Sequence, residues 1–162
     1  MVLQWIALGV FSYFCCVILI PLLIFPGFLT GNKIKVSKTT TKIANNLKTK
    51  NKEKTLTNVF GYIKNLYTEE KYKFLSEIQK HFYSNVDKIA DKKQFLPCNV
   101  QNKVLMTLLV STGQFKKEDF EKKFSLGRHF FNIHAYYLIK VKEKLFKADP
   151  FCGKLKEISS QN

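Results

Sequence analysis

The pattern of hydrophobic and polar positions divides this chain into three parts. Residues 1–32 carry no charged side chain, and residues 5–29 are almost wholly apolar. A polar, lysine-rich stretch follows, and from residue 55 onward apolar positions recur at helical or strand spacing. The pattern predicts a transmembrane anchor over 1–32, a basic linker over 33–54 and one small α+β domain over 55–162.

The apolar segment is long enough to cross a membrane, since about 20 apolar residues suffice for a spanning helix. Pro21 and Pro26 are expected to kink or end that helix. The chain start lacks the basic residues of a cleavable signal peptide, so an uncleaved anchor that contacts lipid through residues 5–29 is favoured. Lysines follow the span and none precedes it, which predicts a single-pass protein with its domain in the cytoplasm.

The segment 33–54 contains eight lysines and one glutamate. This composition predicts either a mobile stalk attracted to anionic headgroups or a merely solvated linker. The whole chain carries a net charge of +15, which raises the question of nucleic-acid binding. The lysines are spread along the chain and Arg128 is the sole arginine, so nucleic acid is disfavoured as a partner.

Four helices are predicted in the first part of the domain, the last of them rich in charge. Apolar positions mark one amphipathic helix from Leu56 to Tyr67, interrupted at Gly61, and a second from Leu75 to Ile89. A more uniformly apolar helix begins at Cys98, and Gly113 is placed to end it. Residues 114–124 follow and are predicted to form a charged helix.

A β-hairpin is predicted near the end of the chain. Aromatic and β-branched residues from Phe130 to Val141 indicate a strand, and Leu145–Asp149 is its expected partner. If an even loop pairs Val141 with Lys144, His134 and Asp149 share one face within diagonal reach. A three-residue loop would place the two side chains on opposite faces, and the sequence permits both loops.

Cys98, His134 and Asp149 are the candidate catalytic residues. A thiol, an imidazole and a carboxylate can serve as nucleophile, base and orienting group. Cys98 opens a helix, where the macrodipole and the unpaired N–H groups favour a thiolate. Each residue also has a purely structural interpretation: a small buried hydrophobe, a packed histidine and a turn aspartate.

The residues around this triad resemble the transglutaminase-like branch of the papain-like cysteine hydrolases. The similar motifs are His134-Ala135-Tyr136 and Asp149-Pro150, and the separations of 36 residues from Cys98 to His134 and 15 from His134 to Asp149 also resemble the family's. The resemblance covers about residues 55–152. It implies a core with N-terminal helices, a buried helix that begins at the cysteine, and an antiparallel sheet that carries the histidine and aspartate.

The chemistry implied by the resemblance is acyl transfer. Cys98 would attack an amide or ester carbonyl of a protein or peptide, and His134, oriented by Asp149, would move the thiol proton to the leaving group. The thioacyl intermediate would pass to water or to an amine. The Cys98 N–H would supply one oxyanion donor, and Gln94 is the candidate for the second.

Three features depart from the family pattern. Leu96-Pro97 stand where small residues commonly precede the cysteine, and Tyr136 replaces the usual tryptophan. The charged helix expected over 114–124 takes the place of a strand that the family puts between the cysteine helix and the histidine strand. These departures leave an alternative open: a catalytically inactive domain that serves as a membrane-tethered binding or scaffold module.

The sequence predicts no metal and no cofactor. It contains no Cys-x-x-Cys pair, no histidine spacing typical of a metal cluster and no glycine-rich phosphate loop. Cys152 follows the Asp149-Pro150 turn, near the predicted site. A packing role is favoured for Cys152 over that of a resolving thiol.

Overall fold

The computed structural model describes residues 2–15, 34–68, 85–126 and 133–158. These residues form a mixed structure of helices and antiparallel sheet, which confirms the predicted α+β class. The helices are α1 (Val2–Phe14), α2 (Lys38–Leu47), α3 (Lys52–Leu66) and α4 (Cys98–Ser111). The strands are β1 (Tyr67–Thr68), β2 (Gln94–Phe95), β3 (Phe120–Leu126), β4 (Ile133–Val141), β5 (Lys144–Asp149) and β6 (Lys154–Ile158).

Helix α1 covers the first part of the predicted membrane anchor. It is 13 residues long and leaves large apolar side chains exposed, with Trp5 74% and Phe11 67% accessible. Within the residues that the structure describes, no helix has the length and apolarity needed to cross a membrane. The rest of the predicted anchor, residues 16–32, lies outside the described part of the chain.

The prediction of a mobile stalk or solvated linker is wrong for residues 38–47 and 52–54, because these form helix α2 and the start of α3. The Ser37 side chain caps α2 by accepting a hydrogen bond from the Thr40 N–H, and Thr40 and Ala44 are fully buried. Ser111 at the end of α4 donates a hydrogen bond to the Thr40 hydroxyl, 3.3 Å away. The number of lysines concealed a buried face of small residues. Most of the lysines over residues 33–54 are exposed: Lys35, Lys38, Lys42, Lys48, Lys50 and Lys54.

Helix α3 confirms the first predicted amphipathic helix, although it begins earlier and runs through Gly61 without interruption. Asn51 caps it, and its buried face packs into the core. Of the second predicted helix, residues 75–84 lie outside the described residues. Its last part is a single 3-10 turn, Val86–Lys88, so the prediction of an α-helix is wrong there.

Helix α4 is the central element and confirms the helix predicted from Cys98. It contacts α2, α3 and β4. Most of its interior side chains are buried, among them Val104, Leu105, Leu108 and Leu109, which are fully inaccessible. Gly113 follows the last turn with a φ of 72°, a left-handed conformation that glycine adopts without steric cost.

The four-stranded antiparallel sheet has the order β3-β4-β5-β6. The charged helix predicted over 114–124 is wrong: only Lys117–Asp119 is helical, as one 3-10 turn, and β3 follows it. Phe120, Phe124 and Leu126 are two or four residues apart along β3, a spacing that places them on one face of a strand, and Phe120 packs against the core. Asp119 forms an ion pair with Lys52 of α3 at 2.9 Å and so ties the strand's start to that helix.

The hairpin of β4 and β5 has the even loop, with Val141 paired to Lys144. Lys142 in the turn adopts a φ of 56°. The sequence left this register open, and the structure selects the alternative in which His134 and Asp149 share a face. Strand β6, which the sequence analysis did not predict, pairs with β5 and ends the sheet.

Candidate functional site

Cys98 is the first residue of α4 and is partly buried. Pro97 precedes the helix, and its carbonyl accepts the N–H groups of Val100 and Gln101 at 3.0 Å each. The first N–H groups of an α-helix have no acceptor inside the helix, so the backbone at Cys98 points donors out of the helix start. The structure therefore places the predicted nucleophile where the sequence analysis expected it.

His134 and Asp149 form a direct pair across the hairpin. His134 Nε2 lies 2.8 Å from Asp149 Oδ2, and the side chains are 16% and 7% accessible. This short contact confirms the prediction that the two side chains share a face within reach of each other. Because the pair is largely shielded from water, its electrostatic attraction is stronger than that of an exposed pair.

The His134 imidazole also forms a side-chain hydrogen bond with Cys98. Nε2 is the nitrogen directed at Asp149. Burial alone would lower the pKa of His134, but the hydrogen bonds from Asp149 and Cys98 outweigh it and raise the pKa to about 9. The imidazole therefore holds a proton at neutral pH, and it lies between Cys98 and Asp149.

Asp149 is fixed through both carboxylate oxygens. Oδ2 contacts His134, and Oδ1 accepts the backbone N–H of Cys152 at 3.0 Å. Burial raises the pKa of this carboxyl, but the hydrogen bonds from His134 and from the Cys152 N–H lower it further than burial raises it. The carboxylate is charged at neutral pH and cannot rotate without losing one of these bonds.

Asn102 is a positioning residue that the sequence analysis missed. It lies four residues after Cys98, on the same side of α4, and is fully buried. Its Nδ2 donates to the carbonyl oxygen of Ala135 at 2.7 Å, directly beside His134 in β4. This bond joins the helix that carries the thiol to the strand that carries the imidazole. A polar residue amid the apolar positions of α4 was the available signal.

We expect Asn102→Ala to lower the free energy of unfolding by roughly 1–3 kcal/mol and also to slow alkylation of Cys98 by iodoacetamide. The carbonyl of Ala135 loses its buried donor, and the spacing between α4 and β4 is no longer fixed. Asn58→Ala is the matched control, since Asn58 makes a similar bond to the Leu47 carbonyl at 3.1 Å, outside the site. Equal slowing of alkylation in both variants would refute a specific role for Asn102.

Lys122 of β3 places a cation near the site. It pairs with Tyr137 of β4, whose side chain is buried in the core, so Lys122 extends from the inner face of the sheet. Burial lowers the pKa of Lys122, and the electrostatic interaction with Cys98 offsets part of this lowering. A cation so placed favours negative charge on an oxygen bonded to the attacked carbon.

Gln94 lies in β2, four residues before Cys98, and its side chain is partly buried. Strand β2 pairs in parallel with β1, which follows α3 directly. Gln101 holds the intervening segment by donating to the Leu96 carbonyl at 2.7 Å. A role for Gln94 as the second oxyanion donor stays a prediction.

Cys152 belongs to the site, although the sequence analysis favoured a packing role for it. Its Sγ lies 3.8 Å from His134 Nε2, and the Asp149–Cys152 turn brings the thiol beside the carboxylate. One ligand atom each from His134, Asp149 and Cys152 lie within 4.8 Å of one another. The sequence spacing did not indicate this group, because the hairpin register brings His134 to the other two.

The described residues thus place a carboxylate on Nε2 of one imidazole, with the Cys98 thiol hydrogen-bonded to the same ring and a second thiol beside it. This arrangement can transfer a proton from sulfur to nitrogen and can stabilise the imidazolium that results. No protein-family model, curated protein or solved structure matches the chain.

Proposed function

We propose that this chain is a cysteine-dependent acyl hydrolase or acyltransferase of the transglutaminase-like type. The observation that carries the proposal is that His134 contacts Cys98 and Asp149 at once. The resemblance of the motifs around these residues supports it. Strand β3, between the cysteine helix and the histidine strand, removes one of the departures from the family pattern.

The reaction begins with attack of the Cys98 sulfur on an amide or ester carbonyl of a protein or peptide. Because Nε2 is directed at Asp149, His134 holds the proton given up by the thiol at Nδ1, and Asp149 stabilises the imidazolium through Nε2. The Cys98 N–H donates to the developing oxyanion, and Lys122 adds favourable charge. When the intermediate collapses, His134 delivers its proton to the leaving amine or alcohol, and the acyl group stays on sulfur until water or an amine takes it.

We also propose that the protein is tethered to a membrane through residues 5–29, with its folded domain in the cytoplasm. The absence of charge over residues 1–32 supports this, as do the exposed apolar side chains of α1. A tether would restrict the substrates to proteins or peptides close to the membrane. The alternative is an inactive domain of the same fold that serves as a tethered binding or scaffold module.

The test of the proposed function uses the full-length chain in detergent micelles and p-nitrophenyl acetate as the acyl donor. The expected result is a burst of p-nitrophenolate with the acetyl group on Cys98, located by mass spectrometry of peptides. Cys98→Ala is expected to lose the burst. Acetylation confined to lysines, or an equal burst in the variant, would leave the binding or scaffold module as the better account.

A further inference from the structure

We propose that His134, Asp149 and Cys152 form a Zn²⁺-binding site that leaves one coordination position open. Imidazole nitrogen, carboxylate oxygen and thiolate sulfur are the three ligand types that zinc takes in proteins. Three protein ligands and one open position are typical of sites that also bind water or a further ligand. The three residues supply one such atom each.

The distances between the three ligand atoms are close to those that a bound zinc ion requires. His134 Nε2 lies 2.8 Å from Asp149 Oδ2 and 3.8 Å from Cys152 Sγ, and the three ligand atoms lie within 4.8 Å of one another. Tetrahedral zinc with bonds of about 2.0–2.3 Å requires ligand atoms roughly 3–4 Å apart. Side-chain rotations that move each ligand atom by less than about 1 Å would therefore bring all three atoms within bonding distance of one ion.

The backbone holds two of the three ligands in place without the metal. Asp149 ends β5, and its Oδ1 accepts the Cys152 N–H at 3.0 Å, which fixes the carboxylate against the turn. A second turn bond joins the Gly153 N–H to the Pro150 carbonyl at 3.1 Å. The carboxylate keeps Oδ2 for the ion while Oδ1 remains bonded to the backbone.

Cys98 is not a ligand of this site. The proposed zinc binds at Nε2 of His134, and the ligand atoms that lie within 4.8 Å of one another come from His134, Asp149 and Cys152 without Cys98. The two nitrogens direct their lone pairs away from each other, so a metal on one is remote from a thiol on the other. The two cysteines of the site therefore have separate partners, and variants of each can be told apart.

Zinc binding exchanges protons for the metal. The ion takes the place of the proton between His134 and Asp149, and Cys152 gives up its thiol proton on becoming a thiolate ligand. Two protons leave to solvent, and no oxidation or reduction occurs. The charge of the ion is offset by the thiolate and the carboxylate.

The consequence for catalysis rests on the proposed function. With zinc on Nε2, the one proton of His134 lies on Nδ1, so the ring can no longer become the imidazolium that delivers a proton to the leaving group, and Asp149 no longer stabilises that charge. The metal-bound state would be an inhibited state of the enzyme. Cys98 would stay unligated in it, and removal of the metal by a chelator would restore activity.

The test titrates Co²⁺, as a spectroscopic substitute for zinc, into the full-length chain in detergent micelles. The expected result is one bound ion with the visible bands of a tetrahedral site and the near-ultraviolet band of a thiolate ligand, both abolished by added Zn²⁺. Cys98→Ser is expected to keep these bands. Cys152→Ser, the matched variant, should lose the thiolate band and weaken Zn²⁺ binding by on the order of 100-fold or more.

Two results would overturn the proposal. One is that the wild-type chain gives no thiolate band, and the other is that the band disappears in Cys98→Ser and persists in Cys152→Ser. Acetylation of Cys98 in metal-free protein is measured separately, so loss of the proposed function would not be mistaken for loss of the metal site. A far-ultraviolet circular dichroism spectrum of Cys152→Ser that matches the wild type's shows that this variant still folds.

Discussion

Replacing His134 by alanine should lower kcat/KM for p-nitrophenyl acetate by about 10³-fold or more. The imidazole contacts both Cys98 and Asp149, so its loss removes the proton acceptor and the link between them. Cys98→Ala is expected to cost at least as much, because it removes the nucleophile itself. Both rates are measured on the full-length chain with EDTA present.

The double variant separates catalysis from simple destabilisation. Residues that act as one catalytic unit give strongly non-additive losses, so Cys98→Ala with His134→Ala should be no slower than Cys98→Ala alone. Losses that multiply in the double variant would mean that the two residues act independently and would count against the triad. Cys15→Ala, in the N-terminal segment, is the control for general effects of removing a thiol and should leave the rate unchanged.

The second large effect is a fall in stability at alkaline pH. The pKa of His134 is about 9 in the folded chain and about 6.5 when unfolded, so its contribution is complete below pH 6.5 and is lost as pH rises through 9. The difference between these two pKa values corresponds to a contribution of at most about 3 kcal/mol to the free energy of unfolding. Asp149 has the opposite sign: its lowered pKa stabilises the fold above about pH 4, and that contribution is lost as pH falls further.

Urea unfolding of the wild-type chain and of His134→Gln, at pH 6 and pH 10 with EDTA, measures this effect. The free energy of unfolding of the wild type should exceed that of the variant at pH 6. This excess should be about 3 kcal/mol larger at pH 6 than at pH 10. Subtracting the free energies of unfolding of the two proteins cancels the contribution of the many lysines, which titrate in both. A difference that does not change with pH would show that the charged His134–Asp149 pair does not stabilise the fold.

Elements with a strong period and clear ends were predictable from the sequence. Helix α4 has long apolar repeats and a glycine at its end, and β4 is rich in aromatic and β-branched residues. Helix α2 and strand β3 were not predicted as such, because abundant lysine conceals their apolar positions. In α2 the exposed lysines leave the buried face intact, and only the packing of that face against α4 reveals it.

The residues of the candidate triad and their order were determined by the sequence, since a cysteine at a helix start and a histidine and aspartate on hairpin strands can be read from it. Their contact was not. The side-chain period of a strand is two, so one residue more in the hairpin loop would have separated His134 from Asp149. The Val141–Lys144 pairing is a tertiary outcome, as is the approach of Asn102, Lys122 and Cys152 to the site. The sequence by itself thus specified which chemical groups are present, and the packing of α4 against the sheet decided which of them meet.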